Sequence, residues 1–136
     1  MSAWDDDKYC IACGSENPIG MKLKFTLKDD HIEAKYTFPR EFQGYKGVVH
    51  GGMLSLLLDE VMVNLPLRKY MVPVVSVDIR VKLRKPLRIG DPAACRAFFV
   101  KEKLKSYVVR GEVRNEINNE LVAEAEAVCL KVGDKI

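Results

Sequence analysis

The sequence predicts an α+β fold, with a curved antiparallel sheet of five to six strands wrapped around one long central helix. Two observations carry this. The run Val49 to Leu65 is apolar around nearly its whole circumference apart from the acidic pair Asp59-Glu60, so as a helix it has no polar stripe to turn to solvent. On either side of it, apolar and polar residues alternate with period two, the pattern of half-buried strands joined by short turns. A helix without a polar face does not lie outside a sheet; the sheet must wrap it, and its remaining face must meet something else, most simply a second copy of the chain.

The elements follow in order. Residues 1–20 form an irregular leader rich in turn formers (Gly14, Ser15, Asn17, Pro18, Gly20) and containing Cys10-x-x-Cys13. Met21 to Leu27 alternates and reads as a strand. Asp29-Asp30 turns the chain into a second, Ile32 to Phe38, so a hairpin is expected. Gln43 to Gly47 is a loop, and the helix begins at His50-Gly51-Gly52. Pro66 should kink or end it near Asn64 or Leu65. Beyond Pro73 the period becomes two for good. Val75, Val77, Ile79, Val81 and Leu83 form one face of a strand; Ser76, Asp78, Arg80, Lys82 and Arg84 form the other. After the turn at Gly90-Asp91-Pro92, the segments Cys95 to Glu102, Lys105 to Asn115 and Leu121 to Val132 complete four strands read as a meander.

Composition limits the function classes. A chain of 136 residues, 48% hydrophobic and 30% charged, is expected to form one domain over residues 1–136 with a core that needs no staples. A net charge of +3 permits an anionic ligand without the concentrated basic face of a nucleic-acid binder. No apolar stretch reaches the ~20 residues that cross a bilayer. The start of the chain is acidic where a signal peptide is basic, which points to a cytosolic protein with no membrane partner. Cys10-x-x-Cys13-Gly14 is half of a zinc-ribbon signature. The other half is missing, since Cys95 and Cys129 stand alone and neither His31 nor His50 has ligand spacing to a partner. The expectation is a structural or redox-labile turn, with no metal and no cofactor; a structural disulfide does not suit the cytosol.

Several stretches together resemble the hotdog-fold acyl-CoA thioesterases of the phenylacetate-degradation type. They are Phe42-Gln43-Gly44-Tyr45-Lys46-Gly47-Val48-Val49-His50-Gly51-Gly52, then Leu57-Leu58-Asp59-Glu60, Ser76-Val77-Asp78, and Lys85-Pro86-Leu87-Arg88-Ile89-Gly90-Asp91. The leader Cys10-Ile11-Ala12-Cys13-Gly14, with Asn17-Pro18 and Gly20-Met21, is similar to that of one branch of the family. The resemblance implies an acyl-CoA substrate and sites at the interface of a homodimer; the sequence does not choose between that dimer and a dimer of dimers. It assigns the oxyanion role to the Gly51 amide and the acidic position to Asp59, as base or nucleophile. It places at Ser76 a hydroxyl that helps orient water, and at Gln43 or Gly44 the place where some relatives carry an assisting amide.

Residue chemistry runs beside this. The amides of Gly51 and Gly52, at the positive end of a helix, are expected to be unsatisfied and could hold a thioester carbonyl and its oxyanion; the bland alternative is a glycine pair that only turns a loop into a helix. Ser55, one turn before Asp59, could hydrogen-bond its carboxylate. Glu60, about 100° round the helix, reads as a neighbour with a structural partner. Against the catalytic reading, Asp59 could be a buried acid paired with an arginine. His50 reads as a cap or loop anchor that could touch substrate, and Arg80, Arg84 and Arg88, with Lys82 and Lys85, either bind the phosphates of coenzyme A or form a solvated face. Gly51 and Asp59 are eight residues apart, about 12 Å along a helix. Groups that act on one carbonyl must lie within ~3 Å of it, so one chain cannot supply both. The competing function is a non-catalytic module that binds acyl-CoA; a third reading is a zinc-organised interaction protein built on Cys10 and Cys13.

Overall fold

The computed structural model describes residues 4–133; Met1 to Ala3 of the leader and residues 134–136 lie outside them. Two strands, β1 (Thr26–Leu27) and β2 (Ile32–Thr37), precede a 3-10 turn at Arg40–Phe42 and the helix α1 (Gly51–Tyr70). Four strands follow: β3 (Val74–Leu83), β4 (Pro92–Glu102), β5 (Ser106–Asn115) and β6 (Leu121–Lys131). All pair antiparallel in one six-stranded sheet of order β1-β2-β4-β5-β6-β3, and α1 packs across every strand of it. The fold class read from the sequence is therefore correct: one long helix in the curve of an antiparallel sheet.

The core is the inner face of the sheet against α1. Leu57, Leu58, Val61 and Met62 are fully buried on the helix, opposite Val109 and Val113 of β5 and Ala123, Ala127 and Cys129 of β6. Each large aliphatic side chain so buried contributes about 1.5–3 kcal/mol. On β5, Gly111 faces the helix closely: a Cβ there would stand 3.0 Å from Met62 Cγ and 3.1 Å from Leu58 Cδ2. A larger residue there crowds these two fully buried side chains. Gly111→Val is accordingly expected to lower stability by about 1–3 kcal/mol, the usual effect of overpacking a filled core, read as a reduced urea midpoint.

Four local expectations are corrected. Met21 to Leu27 keeps its alternating burial through Phe25, but only its last two residues pair as a strand. Its first half bonds instead to the leader, with Met21 N–H donating to Ile11 O (3.0 Å) and Leu23 N–H to Ala12 O (2.9 Å). Pro66 does not end the helix, which continues to Tyr70 and stops at Met71 in the left-handed conformation (φ 55°). Burial of Leu65 and Pro66 holds the last turns in place. So does Arg68, which donates to Asn64 Oδ1 (2.9 Å) and lies 4.5 Å over the Phe25 ring. The last four strands are not a simple meander: β4, β5 and β6 are, but β3 crosses to the far edge and pairs with β6 alone. Finally, the alternation along β3 breaks at a bulge between Ser76 and Asp78. With one extra residue at Val77, Ser76 shares the inner face with Ile79, Val81 and Leu83, and Asp78, Arg80 and Lys82 face outward.

The leader is irregular yet tied down by Asn17. Its side chain donates to Tyr9 O (3.0 Å) and accepts from Ile19 N–H (3.0 Å). Among the described residues, no helix is long and apolar enough to cross a membrane.

Candidate functional site

The helix start is built by a tight loop. Gly44 N–H donates to Val48 O (2.8 Å), Val49 N–H to Leu87 O (2.9 Å) and His50 N–H to Phe42 O (3.0 Å). These bonds deliver His50 to the N-cap position, where its Nδ1 accepts from Gly52 N–H at 2.8 Å. The amides of Met53 and Leu54 reach the His50 carbonyl (2.9 and 3.3 Å). Of the two glycine amides expected to be unsatisfied, Gly52's is therefore taken by the histidine cap. Gly51's has no acceptor among the described residues and points out with the positive end of the helix dipole. His50 is thus the cap it was read to be.

A cavity of about 370 Å³ opens beside this terminus, lined by Glu41, Phe42, Gln43, His50, Gly52 and Met53. Gln43 fixes its own position by accepting Gly47 N–H at Oε1 (3.1 Å), which leaves its amide hydrogens for other partners. Gly44 instead packs behind His50, where a Cβ would stand 3.3 Å from His50 Cα. Of that pair, Gln43 is the one that reaches the cavity. A Cβ at Gly51 would come 2.7 Å from Leu83 Cδ1, the end of a half-exposed side chain that must swing aside to admit it.

Asp59 lies two helical turns further on. Its Oδ1 is buried and has no hydrogen-bond partner, and no cation pairs with it among the described residues. Within one chain, the arginine partner of the alternative reading is not present among the described residues. An unmatched carboxylate oxygen away from water costs free energy that the fold alone does not recover. Burial, with the Asp59 charge nearby, raises the Cys129 thiol to about 11. Cys129 pairs in register with Ser76, so the β3 bulge brings Ser76 to the stretch of inner face that Asp59 approaches. Ser55 does not serve Asp59 in the way expected: its hydroxyl donates to Gly51 O at 3.0 Å, because a serine inside a helix readily bonds the carbonyl four residues back. Glu60 has the structural partners foreseen for it, accepting from Asn64 Nδ2 (3.1 Å) and the Cys10 thiol (3.8 Å).

The basic residues are dispersed. Arg80 lines a groove of about 380 Å³ on the outer face of the sheet, with Lys82 and Arg110 but also Asp78, Glu112 and Glu124. Arg84 pairs with Glu124 at 3.4 Å. Arg88 is exposed and bridges to Val48 at the loop that enters the helix, the nearest of the three arginines in sequence pairing to the helix start. Sequence reasoning missed Glu41 and Phe42 as cavity residues and Leu83 as the neighbour of Gly51. The turn former Pro39 ahead of Arg40–Phe42 was the available signal for the first two; none existed for Leu83.

The family model described as the thioesterase superfamily matches residues 46–122, a span that holds Gly51, Asp59 and Ser76. Comparison with curated proteins found no match. Among solved structures, zebra fish thioesterase superfamily member 2 is similar, with a TM-score of 0.77 at 18% identity, covering 89% of this chain and 90% of that one. The E. coli PaaI protein from the phenylacetic acid degradation operon has a TM-score of 0.76 at 17% identity over 83% and 81%. The protein smu.793 from Streptococcus mutans UA159, solved bound to acetyl CoA, has a TM-score of 0.77 at 18% identity over 88% and 95%. At these identities the likeness is one of fold, and it is the hotdog fold that the sequence resemblance implied.

Proposed function

The chain belongs to the thioesterase superfamily, and from that premise we propose that it hydrolyses acyl-CoA thioesters at a site shared by two copies of itself. The observation that carries the reading is the buried, unpartnered Oδ1 of Asp59, on the same helix as the free Gly51 amide but about 12 Å along it. Asp59 activates a water molecule, or attacks the carbonyl itself; the Gly51 amide, with the helix dipole, takes the oxyanion of the tetrahedral intermediate. When water attacks, collapse of that intermediate gives the free acid and expels the coenzyme A thiolate, which takes up the proton Asp59 removed from the water; when Asp59 attacks, collapse expels the thiolate, which is protonated from solvent, and leaves an acyl–Asp59 anhydride that a water molecule then hydrolyses to the acid and the free carboxylate. Ser76 orients the water from β3, and Gln43 offers its amide hydrogens at the cavity wall.

The two-chain arrangement follows from the separation of Gly51 and Asp59. Two antiparallel helices about a two-fold axis bring Gly51 of one copy to Asp59 of the other. Met53, Leu56, Val63 and Leu67 leave a half-covered apolar line on α1. The edge strand β3 exposes Val77 and Leu83, each at 56%, as an uncapped edge awaiting a partner does. A homodimer, or a dimer of dimers, is the assembly this supports. The reading takes residues 1–136 as one thioesterase-like unit that works in the cytosol without a cofactor for the reaction. Acyl-CoA as the ligand is in keeping with the acetyl CoA carried by the S. mutans neighbour, and Arg88, by the helix-entry loop, is the arginine best placed to meet coenzyme A phosphates.

The test is thiol release from a panel of acyl-CoAs by the purified protein, with calorimetry in parallel. Turnover supports the hydrolase. Tight binding of acyl-CoA without turnover would replace it by the non-catalytic acyl-CoA-binding module.

A further inference from the structure

We propose that Cys10, Cys13 and Glu60 bind a zinc ion that fastens the leader to the central helix. The sequence offered only two ligands. The fold supplies a third, because Glu60 on α1 turns toward the leader, and one ligand atom from each of the three residues lies within 4.8 Å of the others. The Glu60 carboxylate oxygens are 3.8 and 3.9 Å from Cys10 Sγ. In a tetrahedral site with Zn–S near 2.3 Å and Zn–O near 2.1 Å, the ligand atoms stand about 3.6–3.8 Å apart, so closure needs shifts of only a few tenths of an ångström along that edge.

The turn is also shaped for a metal. The amides of Ala12 and Cys13 both point at Cys10 Sγ, each at 3.4 Å, and hold the sulfur in place within the turn. Gly14 closes the turn by donating to Cys10 O (2.9 Å). A Cβ there would stand 2.4 Å from Cys10 N, so the knuckle admits glycine alone. Asn64 Nδ2 holds the Glu60 carboxylate from behind at 3.1 Å, as the outer partners of metal ligands do. With metal bound, two thiolates and a carboxylate bring three negative charges into this half-buried space, and the divalent cation offsets them. Burial and the Glu60 charge push the Cys13 thiol up in its absence. Soft sulfur ligands select zinc over calcium or magnesium, and three protein ligands leave the fourth position to solvent. On binding, Zn²⁺ takes the two thiolates and the carboxylate, and the two thiol protons pass to solvent. None of this depends on the hydrolytic reading.

The full chain, purified with a phosphine reductant and no chelator, is expected to carry one zinc per chain by mass spectrometry of the elements. The stripped protein titrated with Co²⁺ should develop a thiolate-to-metal charge-transfer band with release of about two protons. Cys13→Ser should abolish the band. Glu60→Gln, with unchanged far-ultraviolet dichroism, should keep a sulfur band but weaken Co²⁺ binding at least about tenfold. Metal-free protein that gives no Co²⁺–thiolate band overturns the site, as does a Cys10–Cys13 disulfide in the reductant-free protein that zinc fails to prevent. Undiminished affinity in Glu60→Gln removes Glu60 as a ligand.

Discussion

Replacing Asp59 by Asn is expected to lower kcat for acyl-CoA hydrolysis by about 10²–10⁴-fold, the range a positioned acid–base group contributes. The substitution keeps the shape of the side chain and removes only its charge and basicity. Since the buried Oδ1 has no partner to lose, no bond that holds the fold is broken, and the thermal midpoint should change little. Asp59→Ala should match it in activity. Rates from thiol release, with melting curves of the same preparations, check both halves. Equal hydrolysis by wild type, Asp59→Asn and Asp59→Ala would make Asp59 a passenger.

The second large effect belongs to the Gly51 amide. Proline is tolerated at the first helical position, where the missing N–H has no intrahelical acceptor, and the extended backbone of His50 (ψ 134°) suits a following proline. Gly51→Pro therefore removes the donor and leaves the helix. Either Pro or Ala at this position meets Leu83 Cδ1, so Gly51→Ala serves as the matched control that keeps the N–H. Losing one oxyanion donor costs about 10²–10³ in kcat, and that is the deficit expected of Gly51→Pro relative to Gly51→Ala. If the two variants hydrolyse alike, the amide at Gly51 is not the oxyanion donor.

Much of this was legible in the chain, for reasons that can be named. The helix start was readable because a His-Gly-Gly turn before an unbroken apolar run has few other solutions, and the run itself dictated a wrapping sheet. Alternation located the strands, since burial on one face demands period two. What escaped was whatever depends on partners distant in sequence. An alternating string cannot announce an extra residue, so the bulge that turns Ser76 inward, opposite Cys129, was invisible. Met21 to Phe25 alternates for the sake of burial but gives its backbone to the leader rather than to a sheet. Pro66 was weighed by its missing N–H, whereas buried contacts and Arg68 decided the outcome. Which glycine amide stays free turned on the tautomer and rotamer of His50 at 2.8 Å from Gly52, and no spacing rule reports that.

The central claim is that each site takes its oxyanion donor from one chain and its acid from another. Mixing Gly51→Pro with Asp59→Asn, each nearly inactive alone, under conditions where subunits exchange tests it most directly. Half of the dimers formed are mixed, and each mixed dimer holds one doubly altered site and one intact site. The account predicts recovery of about a quarter of wild-type activity. Mixed dimers that form, as shown by a tag on one partner, yet stay as inactive as the parents would place both groups in a single chain and contradict it.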